Sequence, residues 1–165
     1  MDSTEILIKI RKIVRSINLE SKKIQKEYGV SIPQVLCLKF LSRSSNYQST
    51  QGEIRKFLNL NSSTISGIIN RLEAKGLIAR LPKSGDKRVV NIALTSSGDN
   101  LLNKIPALLH DQLSKKLEVL DDVRISEIKQ GLNNLVQLLE IEGIDASPMI
   151  AINGDLDDIN DDFDL

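Results

Sequence analysis

A chain of 165 residues with 41% hydrophobic but only 3% aromatic residues and no Trp has material for one compact domain with appendages, its core built from Ile, Leu and Val and its bias helical. The single Cys37 excludes an intrachain disulfide and a Cys-rich metal site, and the single His110, expected at a surface or an interface, removes most general-base and zinc schemes. No apolar run approaches the ~18 residues that span a bilayer, and Asp2 and Glu5 stand where a signal peptide would be basic and then apolar, so a cytoplasmic protein without a membrane partner is expected. The formal net charge of zero hides an asymmetry. Residues 1–144 hold all 22 cationic residues and 15 of the 22 acidic ones, a net charge of +7, while residues 145–165 hold seven acids and no Lys or Arg. A basic body with an acidic tail suits a protein that meets a polyanion, although solubility alone also explains such a tail.

In chain order, Ile6, Ile10, Ile13, Ile17, Ile24 and Tyr28 recur at three- and four-residue spacing and predict a helix over residues 4–28, closed by Gly29. Ser31 and Gln34 form a capping-box pair that opens a second helix through Val35, Leu38 and Leu41, with Pro33 tolerated in its first turn. The run around Cys37 is apolar enough for a buried structural thiol, with a redox-sensing thiol as the alternative. Thr50 and Glu53 repeat the box and predict a short helix over residues 51–58. Asn61 then caps a helix over residues 62–75, Leu60 and Ile65 stand at staple positions, and Gly76 stops it. Residues 78–81 and 89–94 read as two strands joined by the basic, turn-rich loop 82–88. Thr95 caps a long helix, interrupted or kinked near Pro106 and continuing through Leu113 and Leu117, and a last helix covers residues 122–140.

The chemistry concentrates in the helix over residues 62–75. Ile65, Ile68, Ile69 and Leu72 share one face, which leaves Ser62, Ser63, Ser66, Gly67, Asn70 and Arg71 on the other. Short hydroxyl and amide side chains let a helix enter the ~12 Å major groove and reach base edges. Ser62, Ser63 and Thr64 at the positive end of the helix can also donate to phosphate oxygens. Arg71 has a competing reading as a salt-bridge partner of Glu73 or Glu53, and the whole face as ordinary solvated surface. Between residues 43 and 88 nine Lys or Arg residues, including Lys83, Lys87 and Arg88, stand against Glu53, Glu73 and Asp86. Two helices, a tight turn and a basic hairpin predict a mainly α fold with a small β-hairpin wing. Apolar stripes on the first and last helices are too extensive for one small domain to cover, which predicts flanking dimerisation helices.

These residues carry a resemblance. Residues 68–80 (IINRLEAKGLIAR), then Asp86-Lys87-Arg88, then Leu94-Thr95 and Gly98 resemble the MarR family of regulators, which has Leu-Glu-x-x-Gly-Leu at the end of the recognition helix, Asp-x-Arg in the wing and Leu-Thr-x-x-Gly opening the next helix. The usual Asp-Arg-Arg is here Asp-Lys-Arg. The likeness covers residues 1–143 in architecture. It implies a winged helix-turn-helix over residues 31–94, dimerisation helices over 1–30 and 95–144, and a separate tail over 145–165. It further implies that Arg88 enters the minor groove while Asp86 holds the loop; a narrow, A·T-rich groove attracts such an Arg, and a hairpin tip of solvated charges is the plain alternative. The implied function is sequence-specific binding of double-stranded DNA by a homodimer at a pseudo-palindromic operator, as a repressor released by a small effector. Redox-sensing members place their cysteine in the first helix, where this chain has none. Residues 10–34 also faintly resemble regulators of compatible-solute operons such as ectoine synthesis.

Two other classes compete. An enzyme is disfavoured by the lone His, the lone apolar-flanked Cys and the absence of a Gly-rich phosphate loop, and neither metal nor cofactor is expected. A winged helix that binds protein rather than DNA would carry apolar or acidic residues in place of the hydroxyl face and Arg88. The tail also has two readings, as a solubilising segment or as a competitor for phosphate on the basic face, with Leu156, Ile159 and Phe163 at helical spacing. Competition predicts that deleting residues 145–165 tightens DNA binding most at low salt, where charges interact over ~30 Å rather than ~8 Å. Titrations of full-length and truncated protein at two ionic strengths decide it: equal affinities at low salt leave only the solubilising role.

Overall fold

The computed structural model describes residues 3–82 and 89–144. The loop residues Lys83, Asp86, Lys87 and Arg88 and the acidic tail lie outside the described residues. Seven α-helices and three strands follow one another as α1 (Ser3–Tyr28), α2 (Ile32–Arg43), β1 (Gln48–Thr50), α3 (Gln51–Leu58), α4 (Ser62–Ala74), β2 (Ile78–Pro82), β3 (Val90–Leu94), α5 (Ser96–Lys104), α6 (Leu109–Glu118) and α7 (Asp122–Leu138) among the described residues. No helix among them is long and apolar enough to cross a membrane.

The predicted caps are all present. Ser31 accepts from the Gln34 N–H at 3.3 Å while the Gln34 side chain accepts from the Ser31 N–H at 3.0 Å, and Thr50 and Glu53 exchange bonds in the same way. Asn61 Oδ1 accepts from the Thr64 N–H at 2.8 Å. Gly29 and Gly76 take the left-handed conformation that ends a helix, at φ +69 and +70, where a β-carbon would be strained.

The core lies around α2, where Ile32, Val35, Leu36, Cys37, Leu38 and Leu41 are all buried. Ile54 and Leu58 of α3, Ile65, Ile68, Ile69 and Leu72 of α4, and Ile78 and Ile92 of the sheet close over it. Removing each such side chain from water contributes roughly 1.5–3 kcal/mol. The flanking helices are different: α1 buries only Ser21 and Ile24, and neither α6 nor α7 buries any residue.

The structure adds a strand to the expected hairpin and decides between the interruption and the kink expected near Pro106. The sheet has three strands, in the order β1-β3-β2 and antiparallel throughout, because Gln48, Ser49 and Thr50 pair with Ala93, Ile92 and Asn91. The helix after Thr95 is interrupted rather than kinked near Pro106 and resumes through Leu113 and Leu117. Ile105 adopts an extended conformation (φ −76, ψ 126), as steric conflict with the ring of Pro106 demands, and a new helix starts at Leu109.

The Leu-Thr-x-x-Gly segment ties the hairpin to α5. Thr95 Oγ1 accepts from the Gly98 N–H at 3.1 Å and donates to the Gly76 carbonyl at 2.7 Å, and the Thr95 N–H donates to the Leu77 carbonyl at 3.2 Å. Gly98 is needed for the fit: a Cβ there would overlap the Leu77 carbonyl oxygen and approach Leu94 Cδ1 to 2.7 Å. Gly98→Ala should therefore destabilise the fold by about 1–3 kcal/mol despite the better helix propensity of alanine, measured as a lower urea midpoint; an unchanged midpoint would contradict this packing.

Candidate nucleic-acid interface

Helix α4 is held by its apolar ridge. With Ile65, Ile68, Ile69 and Leu72 buried, Ser62, Ser63, Thr64, Asn70 and Arg71 are exposed, and Ser66 and Gly67 are half-buried at the seam with α3. The predicted polar face thus lies together on one outward surface. Its hydroxyl and amide groups are engaged by neighbours. The Ser63 hydroxyl donates to Asn61 Oδ1 at 2.8 Å, so it completes the cap. Gln51 of α3 donates to Ser66 Oγ at 2.9 Å, and Arg55 of α3 donates to Ser62 Oγ at 3.3 Å.

Glu73, one of the two partners considered for Arg71, meets a different arginine. Glu73 Oε1 accepts from Arg80 of β2 at 2.7 Å, and the same guanidinium donates to Asn70 Oδ1 at 2.6 Å. The Arg71 guanidinium passes close to Gly67, where an added Cβ would meet its Nη2 at 3.7 Å. Gln51, Arg55 and Arg80 therefore belong to the site although the face pattern of α4 does not reveal them. Their partners lie 15, 7 and 10 residues away in sequence and meet only through the tertiary fold.

Two further groups bear on function. Cys37 is enclosed and desolvation pushes its thiol up to about 12, so the buried structural reading holds and a reactive thiolate at neutral pH is disfavoured. His110 is half-buried and lines a cavity of about 280 Å³ with Lys39, Phe40, Arg43, Phe57 and Asp111. The Phe40 and Phe57 rings stand 4.5 Å apart, centroid to centroid, at an interplanar angle of 31°. Lys39 forms an ion pair with Asp111 across α2 and α6. Burial pushes the Asp111 carboxyl up, but the Lys39 ammonium and the Leu108 N–H outweigh it and hold the group below its usual range.

A helix pair whose second member turns a polar face outward, backed by an antiparallel hairpin, defines a winged helix-turn-helix. Residues 30–90 match the model of the MarR family. It is similar to the uncharacterized HTH-type transcriptional regulator YsmB of Bacillus subtilis, at 25% identity over 126 residues, 76% of this chain and 85% of that one. It is also similar to the HTH-type transcriptional regulator PecS of Dickeya dadantii, at 34% identity over 84 residues, 50% of this chain and 51% of that one. Among solved structures, the S. aureus MepR–DNA complex superposes with a TM-score of 0.61 at 22% identity, covering 84% of this chain and 98% of that one. Sco3205 of Streptomyces coelicolor, a MarR family regulator in complex with DNA, superposes with a TM-score of 0.60 at 19% identity, covering 89% and 94%. At these identities the two structures establish the fold. The faint likeness to compatible-solute regulators finds no support in these relatives.

Gly67 offers a test of the outward face. A Cβ at that position meets only the Arg71 guanidinium at ordinary contact distance. Gly67→Ala should therefore stabilise the helix by about 0.5–1 kcal/mol and at the same time weaken DNA binding by placing a methyl group at the groove. Thermal melting and a DNA titration should move in opposite directions; tighter or unchanged binding would remove Gly67 from the interface.

Proposed function

We propose that this chain represses transcription by holding a pseudo-palindromic DNA site as a homodimer, with α4 in the major groove and the β2–β3 wing against the minor groove. The observation that carries this reading is the two-sided build of α4, whose apolar ridge is fully committed to the core while its hydroxyl, amide and guanidinium groups face outward. In this reading Ser62, Ser63, Thr64, Ser66, Gly67, Asn70 and Arg71 offer the helix surface, and Lys83, Asp86, Lys87 and Arg88, which the sequence sets between β2 and β3, would supply the contacts of the wing. MepR and Sco3205, which share the fold, were each solved in complex with DNA.

A second copy of the chain is the partner that suits the flanking helices. Ile6, Leu7, Ile13 and Val14 of α1 are 48–58% exposed, and Val123 and Leu132 of α7 are 68% and 54% exposed. Such apolar helix faces are characteristic of surfaces covered on association. Two-fold symmetry would then set two copies of α4 about one helical turn apart. The cavity between α2, α3 and α6 is a candidate effector site: Lys39, Arg43 and His110 can meet an anionic group, and Phe40 and Phe57 an aromatic ring.

The test is a titration of a pseudo-palindromic duplex recovered by selection. A dimer neutralising six phosphates should lose about 10³-fold in affinity between 50 and 200 mM salt. Arg88→Ala should cost about 1–3 kcal/mol of specific binding with little change in stability, and benzoate, a minimal aromatic anion, should weaken the complex. Equal binding of a monomer to an isolated half-site would sink the dimeric reading.

A further inference from the structure

Two arginines outside α4 decide which hydrogen-bonding groups its outward face has left to offer. Arg80 donates to both Asn70 Oδ1, at 2.6 Å, and Glu73 Oε1, at 2.7 Å, and Arg55 donates to Ser62 Oγ at 3.3 Å. A guanidinium has donors and no acceptor, so none of these bonds can run the other way. The amide orientation of Asn70 is therefore fixed by its partner rather than open to a flip. Its carbonyl is turned to Arg80, and the two N–H groups of the amide are turned away from it. Ser62, accepting from Arg55, still has its own hydroxyl proton to give.

We infer that Arg80 fixes the Asn70 amide with its oxygen turned aside and its N–H groups leading, so that the base it meets in the major groove is a guanine rather than an adenine. The inference rests on α4 being the recognition helix. Asparagine reads adenine in bidentate fashion by accepting from N6 while donating to N7. Here one lone pair of the accepting atom is held by a charge-assisted bond, and turning the amide edge-on to adenine N6 and N7 would strain or break that bond for a weaker neutral one. Guanine presents N7 and O6 side by side, two acceptors for two donors. Arg80 touches no base in this arrangement and is a positioning residue. Its ion pair with Glu73 also neutralises an acidic group on the helix that approaches DNA, which lowers the repulsion between that carboxylate and phosphate. Arg55 and Ser62 extend the same donor character to the first turn of α4.

The experiment selects duplexes from a randomised library with the full chain and with its Asn70→Ala and Arg80→Lys variants. The wild type should enrich guanine at one position in each half-site, and Asn70→Ala should lose the preference there. Replacing that guanine by 7-deazaguanine, which lacks the N7 acceptor, should weaken wild-type binding about tenfold and leave Asn70→Ala unaffected. Arg80→Lys keeps the charge beside Glu73 but loses the forked guanidinium that holds Glu73 with one nitrogen and Asn70 with the other. It should admit adenine at that position while leaving the salt dependence unchanged, a specificity shift that mere loss of structure would not produce. Adenine at the Asn70-dependent position in the wild type, or an identical consensus from Asn70→Ala, overturns the inference and leaves DNA binding standing. Failure of the wild type to enrich any duplex overturns the DNA-binding reading together with it.

Discussion

Burial of α2 on nearly all sides is the constraint to which the other elements answer. An amphipathic helix sits against a core, whereas α2 presents Ile32, Val35, Leu36, Cys37, Leu38 and Leu41 around most of its circumference and so forms part of the core itself. Helices α3 and α4, strand β3 and α5 can each bury an apolar face only by packing over it or over one another. The direction of the α4 polar face follows: once Ile65, Ile69 and Leu72 are placed against the core, the 3.6-residue period leaves Ser62, Ser66 and Asn70 no orientation but outward. A thiolate at Cys37 is disfavoured for the same reason, since the environment that secures the helix also keeps water from the thiol.

How much of this was legible in the sequence depends on how local the cause is. Helix starts were readable because a cap joins residues three apart, as Ser31 with Gln34 and Thr50 with Glu53 show. The burial of α4 was readable because its apolar positions repeat. Strand β1 was not, because Gln48-Ser49-Thr50 is polar, short and stabilised by a β3 edge more than forty residues away. The break after α5 was half legible: Pro106 marks the place, but whether a proline bends or ends a helix depends on what packs beyond it. The Arg80–Asn70–Glu73 cluster was illegible for a different reason. Glu73 has oppositely charged neighbours in sequence, Arg71 among them, and only the course of β2 beside α4 brings Arg80 to it.

The MarR signature residues acquire separate physical roles in this fold. In the Leu-Glu-x-x-Gly-Leu segment, Leu72 is core, Glu73 holds Arg80, Gly76 supplies the left-handed turn, and Leu77 presents the carbonyl that Thr95 grips and Gly98 accommodates. The two motifs, separated by the whole hairpin, are thus halves of one joint. Their spacing is restricted because β2 and β3 must run in register, Ile78 opposite Leu94, for the Leu77 carbonyl to meet Thr95.

The other end of α5 shows how the core and the flanking helices are connected. The chain leaves the winged domain at Ile105 and re-enters a helix at Leu109, and that restart is fixed from three sides. Glu20 of α1 accepts from the Leu109 N–H at 2.6 Å, Asp111 accepts from the Leu108 N–H at 3.3 Å, and Lys39 of α2 pairs with Asp111. Leu108 is buried beneath them. A carboxylate at the first turn of a helix also meets the positive end of its dipole, worth about 0.3–1 kcal/mol. Glu20 and Lys39 thereby bring α1 and α2 to the same short stretch of chain. Any rotation of α6 against the winged domain must break or carry these contacts with it. The cavity lined by Lys39, His110 and Asp111 opens at this junction, so an anionic group bound there would compete with Asp111 for Lys39, and would act on the restart of α6 rather than on α4 directly.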